Sequence, residues 1–408
     1  MIRPQPIDLS PWPLGGLLVP DVPGGRALAE AAVAGTSVDL TEEVTFWAHA
    51  AGDDVDAALQ GLDALAGALE TGAERSIVEY DRFVLRPTAD ELERLRGEFT
   101  GVLAELLEVA AFRCGLRGDL PEFEHLDGEL LAAARATAAS AAMEAGDEER
   151  ADAALGAAID LARGTSPGLA AQLLVSRLEG ERARGADAAT VTSLLEEALD
   201  TLGTDGFDAL RAELQLELAV VLQETDPRRL PDAAAMFQAA ITSLDADLHP
   251  RAHGFAQMRL GLCYMSMPMA DAGDALRMGV ATQALKRAVE VLDETREPDL
   301  WCAAVTNLAN AYQMLPSGHL SDNLGESVEL YDRALAVRTA DGDPVGHARL
   351  HVNRANACAS LERFDEAVAS LRIACPILQT AGAGEDFESA RKLLQDLERS
   401  RLTAGESA

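Results

Sequence analysis

Residues 301–337 read WCAAVTNLANAYQMLPSGHLSDNLGESVELYDRALAV. Leu308-Ala309-x-x-Tyr312 has helical spacing, and Ser327, Tyr331 and Ala334 repeat it after a turn containing Pro316 and Gly318. Recurrence at three and four residues puts each set on one helix face. A small residue lets one helix approach another, a large one fills the remaining space, and an alanine leaves room for the next pair. The stretch therefore predicts two antiparallel helices that cannot bury their apolar faces alone.

The same figure recurs on both sides. Leu260-Gly261-x-x-Tyr264 precedes Ala281, Leu285 and Ala288, and Leu218-Ala219-x-x-Leu222 precedes Ala233, Phe237 and Ala240. Ala355-x-x-Cys358 precedes Ala367, Leu371 and Ala374. Aligned on an alanine near the middle of each second helix, the copies fall at Ala157, Ala198, Ala240, Ala288, Ala334 and Ala374, with steps of 41, 42, 48, 46 and 40 residues. Each step holds two helices and two turns, which is the signature of an α-solenoid.

This pattern resembles the tetratricopeptide repeat, closely over residues 209–381 and less so over 124–202. The resemblance implies an all-α fold: a right-handed superhelix of helix pairs. Two departures stand out. The family's early tryptophan is missing at its usual place, and the turns inside the copies around Tyr264 and Tyr312 are longer than the family's. The expected organisation is a Pro/Gly-rich extended arm at 1–40, an irregular N-terminal helical domain at 41–123, degenerate helix pairs at 124–202, tetratricopeptide-like repeats at 203–381 and a capping helix with tail at 382–408. In the arm, Trp12, Leu14, Leu17, Leu18 and Val19 give an apolar segment suited to packing on the helices or on a partner. Thr41 reads as a helix start, residues 51–54 as a turn, and Thr88 with Glu91 as a capping box opening one long helix to about Cys114.

Composition agrees with close helix packing: 48% of residues are hydrophobic but only 4% aromatic. The formal charge of −34, from 68 acidic and 34 basic residues, opposes binding to phosphate backbones and anionic membranes. No apolar run approaches the length of a membrane span, and residues 1–25, with six prolines, do not read as a signal peptide. A cytoplasmic protein is the expectation. The five cysteines are widely spaced and form no C-x-x-C pair, so reduced, buried thiols are expected.

In the family the first helix of each pair lines a groove for extended peptides. Carried over position by position, that face reads Arg259 and Leu262, then Asn307 and Asn310, then Asn353 and Asn356. This resembles the asparagine-bearing repeats of kinesin light chains and similar bacterial proteins. Asparagine is a mediocre helix former, so its repetition at two equivalent positions needs a use. Its amide can grip a peptide backbone, donating and accepting together, or bond to neighbouring helices inside the stack. Arg349, one turn before Asn353, is placed with Arg259 and Arg354 to capture an acidic side chain or a free chain terminus. The net charge also fits a basic partner.

Other constellations carry less. His347 and His351, and His249 and His253, have metal-compatible i, i+4 spacing, but no further ligand completes either set. His253, Trp301 and His347 occupy equivalent positions, which favours packing between repeats. Met258, Met265, Met267, Met269 and Met278 are five of the nine methionines and read as an adaptable apolar surface. No nucleophile elbow or phosphate loop is present, so neither catalysis nor a cofactor is expected. The resulting expectation is a scaffold or assembly factor holding an extended segment of a client protein. Residues 76–116 and the long-turn repeats loosely resemble accessory factors of multisubunit metalloenzymes such as hydrogenases. A peptide-responsive regulator without its own DNA-binding domain is the alternative.

Overall fold

The computed structural model describes residues 6–7, 16–34, 38–51, 54–69, 71–269, 273–315 and 319–405. Of the sequence expectations, those on Trp12, Leu14, Gly52 and Asp53 lie outside the described residues. The chain divides into two units, Met1–Leu214 and Gln215–Ala408.

The first unit opens with two short strands, β1 (Pro6–Ile7) and β2 (Leu17–Leu18), paired antiparallel. Six helices follow: α1 (Gly25–Ala34), α2 (Thr45–Ala51), α3 (Val55–Ala68), α4 (Ala73–Leu85), α5 (Ala89–Glu98) and α6 (Val102–Arg113). Helix pairs then begin with α7 (Gly128–Glu144) and α8 (Glu148–Arg163), and α9 (Pro167–Ala183) and α10 (Ala188–Leu202). Helix α11 (Asp208–Thr225) runs through the division between the units.

Helix α4 is the centre of this unit's core, with Val78, Phe83 and Val84 at most 1% exposed. Leu17 and Leu18 pack into the same cluster. The Leu18 N–H donates to Oδ1 of Asp81 at 2.8 Å. Asp81 Oδ2 has no partner among the described residues, and burial pushes this carboxyl well above the usual range, since an unpaired charge in the core would be costly.

Thr41 precedes a helical turn as expected, its hydroxyl donating to the Pro23 carbonyl. Two expectations need correction here. Residues 25–34 are helical inside the segment read as an extended arm. Thr88 caps α5 as expected, accepting from Glu91 N–H at 3.3 Å, yet the long helix is broken into α5 and α6. The break falls at Gly101, whose φ of +59° lies in the left-handed region where glycine costs least.

The second unit continues with α12 (Leu230–Ser243), α13 (Pro250–Ser266), α14 (Asp274–Val291), α15 (Pro298–Met314), α16 (Leu320–Val337), α17 (Pro344–Ser360), α18 (Phe364–Thr380) and the terminal α19 (Gly384–Gly405). Each helix packs against its successor. The chain is an all-α, tetratricopeptide-like stack of helix pairs. Among the first helices of the pairs, α9, α13, α15 and α17 start on proline, which has no N–H to lose at that position.

The second helices share one buried line. It runs Val191, Leu195, Ala198, Leu202 in α10, then Ala233, Phe237, Ala240, Leu244, then Ala281, Leu285, Ala288, Leu292. In α18 it reads Ala367, Leu371, Ala374, Leu378. The register expected for α8 is off by one: Ala158 is fully buried, whereas Ala157 is half-buried. Ala151 and Ala162 then stand in the same relation to Ala158 as Val191 and Leu202 do to Ala198.

Close approach at this line is measurable at Gly261 of α13. A Cβ there would meet Leu285 Cγ at 2.6 Å and the Ala281 carbonyl at 3.1 Å, whereas one on Gly279 of α14 would meet nothing within 4 Å. Gly261→Ala should therefore destabilise by about 1–3 kcal/mol despite the better helix former. Gly279→Ala should stabilise by about 0.5–1 kcal/mol. Urea unfolding midpoints of the two variants should move in opposite directions.

A second expectation concerns Glu129 in the first turn of α7. It is buried, its Oε2 has no protein partner, and burial raises its pKa to about 7, opposed by a hydrogen bond with Ser166. The folded state thus binds a proton that the unfolded chain releases near 4.5, so stability falls as pH rises from about 4.5 to about 7. Glu129→Gln should remove that slope and stabilise the protein at pH 8 by up to about 3 kcal/mol, read from urea midpoints at pH 5 and pH 8.

Candidate functional site

The sequence-selected residues on α13, α15 and α17 meet different fates. Asn310 is taken by the stack: its Oδ1 accepts from the Tyr331 hydroxyl, which in turn accepts from Gln313 Nε2 at 2.7 Å. Tyr331 is fully buried where the other second helices carry Leu or Phe, so its hydroxyl needs this partner. Asn307 and Asn353 are half-buried and Asn356 is exposed. None of these three amides is hydrogen-bonded by its side chain among the described residues.

The arginines are paired internally. Arg259 contacts Glu224 on α11 and lies 5.5 Å from the Phe255 ring centre, and its Nε is buried without a partner. Arg354 bridges Asp332 on α16 at 2.6 Å and Glu366 on α18 at 3.3 Å, and donates to Ser370. It is a clamp between helices. Arg349 pairs with Asp386 of α19 at 2.8 Å, but its side chain is 64% exposed. Such an exposed pair is worth about 0–1 kcal/mol and yields readily to a better-placed anion.

One hollow gathers two of these residues. It has a volume of about 320 Å³ and is bounded by Thr306 on α15, Arg338 at the end of α16, and Asp343, Gly346, Arg349 and Asn353 at the start of α17. Arg338 stands where Leu202, Leu244, Leu292 and Leu378 complete the buried line in other pairs. Its side chain is only 20% exposed, yet its partners are distant: Nε lies 3.6 Å from Asp343 Oδ2, and an NH2 lies 3.5 Å from the Asp299 carbonyl. Asp343 is itself engaged as the helix cap, accepting from Gly346 N–H at 2.8 Å. A half-buried, loosely held guanidinium facing a hollow with a free amide is suited to an oxyanion, although the Thr306 hydroxyl there already donates to the Cys302 carbonyl at 2.7 Å.

Arg338 was not among the residues selected from sequence, although it breaks the leucine position of the register. Arg259 lies on an earlier helix and does not line this hollow.

The histidines serve packing. His253 Nδ1 donates to the Leu244 carbonyl at 3.0 Å and His347 Nδ1 to the Arg338 carbonyl at 2.7 Å, each tying a first helix to the end of the preceding helix. Trp301 fills the equivalent place. His351 stacks edge-on against His347 at 4.9 Å, and burial together with that neighbour lowers its pKa to about 4. Of the methionines, Met258 and Met278 are buried in the core, while Met269 is exposed.

No protein family and no curated protein matches the chain. Solved structures show distant likeness. BtubC (BKLC) from P. vanneervenii is 16% identical with a TM-score of 0.41, over 62% of this chain and 92% of that one. A Signal Transduction ATPase with Numerous Domains protein with a tetratricopeptide repeat sensor, from Pyrococcus horikoshii, is 11% identical with a TM-score of 0.48, over 90% of this chain and 49% of that one. Aspartyl phosphate phosphatase F from Bacillus subtilis is 13% identical with a TM-score of 0.39, over 90% and 96%. The class is therefore defined by the helix pairs of this chain: a helical-repeat protein.

If Arg338 is kept for a ligand and not for the fold, Arg338→Leu should restore the apolar line and raise stability by about 1 kcal/mol or more, because a buried charge with poor partners gives way to a packed side chain. A lowered unfolding midpoint would make Arg338 a structural residue.

Proposed function

We propose that this chain has no chemistry of its own and acts as a binding scaffold or assembly factor, holding an extended segment of a client protein against α15 and α17. The observation that carries this reading is the hollow at Arg338, with the unpaired amides of Asn307, Asn353 and Asn356 on the same two helices. The amides would hold the client backbone irrespective of its sequence, since each can donate to a carbonyl and accept from an N–H. Arg338 and Arg349 would hold a carboxylate, either an acidic side chain or the chain terminus. Asn310 is removed from the set by Tyr331. A subunit of a multisubunit metalloenzyme is one client class consistent with an assembly role.

The test is capture of client from extracts of the native host on immobilised protein, followed by affinity measurement on the client recovered. Asn307→Ala, Asn353→Ala and Asn356→Ala together should weaken binding at least about tenfold, since each hydrogen bond contributes about 0.5–1.5 kcal/mol. Arg338→Leu should weaken it comparably and reduce its salt dependence. Unchanged affinity in folded variants, checked by circular dichroism, refutes the proposal.

A further inference from the structure

Another hollow lies within the first unit. It has a volume of about 650 Å³ and is walled by α6, α7, α9 and α11, within the range of ligand-sized clefts. Its apolar lining comes from Phe112, Leu169, Leu173 and Leu210, interspersed with Thr137, Ser140, Gln172 and Ser176. The Thr137 hydroxyl is already used, donating to the Ala133 carbonyl at 3.2 Å.

Four lining residues are charged. Glu144, Glu179 and Glu213 come one each from α7, α9 and α11, all exposed, and none forms an ion pair among the described residues. Opposite them, at the α6 side, Arg113 is half-buried and electrostatically coupled to Tyr80. This contrasts with the neighbouring acids on the outer surface, where Arg184 draws Glu181 to 2.8 Å and Asp152 to 3.5 Å. A trough with an apolar floor and a carboxylate from each of three successive first helices complements a chain that alternates apolar and cationic side chains.

We infer that this hollow is a second binding site, one for a segment of a partner protein carrying arginine or lysine between apolar residues. The apolar side chains lie on the leucine floor, and the cations meet the three glutamates at the rim. Guanidinium fits best, because it forms bidentate bonds to a carboxylate while its flat face tolerates apolar neighbours. The site is independent of the amide and arginine surface of the second unit, so either can fail without the other.

The probe is the fluorescein-labelled hexapeptide Leu-Arg-Leu-Arg-Leu-Arg, blocked at its carboxyl end, titrated into the full chain and followed by anisotropy at 0.15 M salt. Glu144→Gln, Glu179→Gln and Glu213→Gln together should weaken binding about tenfold or more. Ser176→Trp, which fills the hollow from an exposed position, should abolish it. The same charge change at exposed Glu294, Glu326 and Glu329 of the second unit should leave affinity within about twofold. Equal losses from both triple variants would show attraction to the net charge of the chain alone and would overturn the assignment. So would undetectable binding by the wild type, or full binding by Ser176→Trp with its circular dichroism unchanged.

Discussion

The close approach of helices along one buried line is the constraint on which the repeat structure depends. Alanines at 198, 240, 288, 334 and 374 are at most 1% exposed, and a leucine, phenylalanine or tyrosine lies three residues before each. Dispersion forces reward this fit only at contact distance, so a single methylene too many or too few is felt by both neighbouring helices. Gly261 shows how little tolerance is left. Because each pair of the second unit packs against the next, the line continues from helix to helix there, and a polar residue on it requires its own local solution.

Two such solutions occur side by side. Tyr331 brings a hydroxyl into the line, and the stack supplies Asn310 and Gln313 to satisfy it. Arg338 brings a charge to the end of the same helix, and no comparable partner is supplied. The two residues differ in how far the stack satisfies their polar groups. A buried hydrogen-bonded hydroxyl is close to neutral in its effect on stability, whereas a poorly paired buried guanidinium is a cost that the fold itself does not need.

The acid excess gives the two hollows different characters. With few basic residues to share, most arginines of the second unit are drawn into intramolecular pairs, and Arg338 and Arg349 are the two loosely held ones that line the hollow at the start of α17. In the first unit the acids outnumber their possible partners, and those on the trough rim stay unpaired. One composition thus lines one hollow with two arginines and the other with three unpaired glutamates and a single arginine.

The all-α class, the helix pairs and most of the alanine register were legible in the sequence, because periodicity at 3.6 residues and side-chain size act locally. What the sequence left open was the use of each polar side chain. Asn307 and Asn310 look alike along the chain, and only the position of Tyr331 on the neighbouring helix makes one structural and leaves the other free. Arg338 was visible as a break in the leucine series, but its poor pairing depends on distances to Asp343 and Asp299 that no spacing rule contains. The α5–α6 break and the helix at 25–34 were likewise missed, the first because a single glycine conformation decides it and the second because the proline-rich segment before it masks a short helix. Local pattern determined the elements; the partners available across helices decided which of their polar groups remain for a ligand.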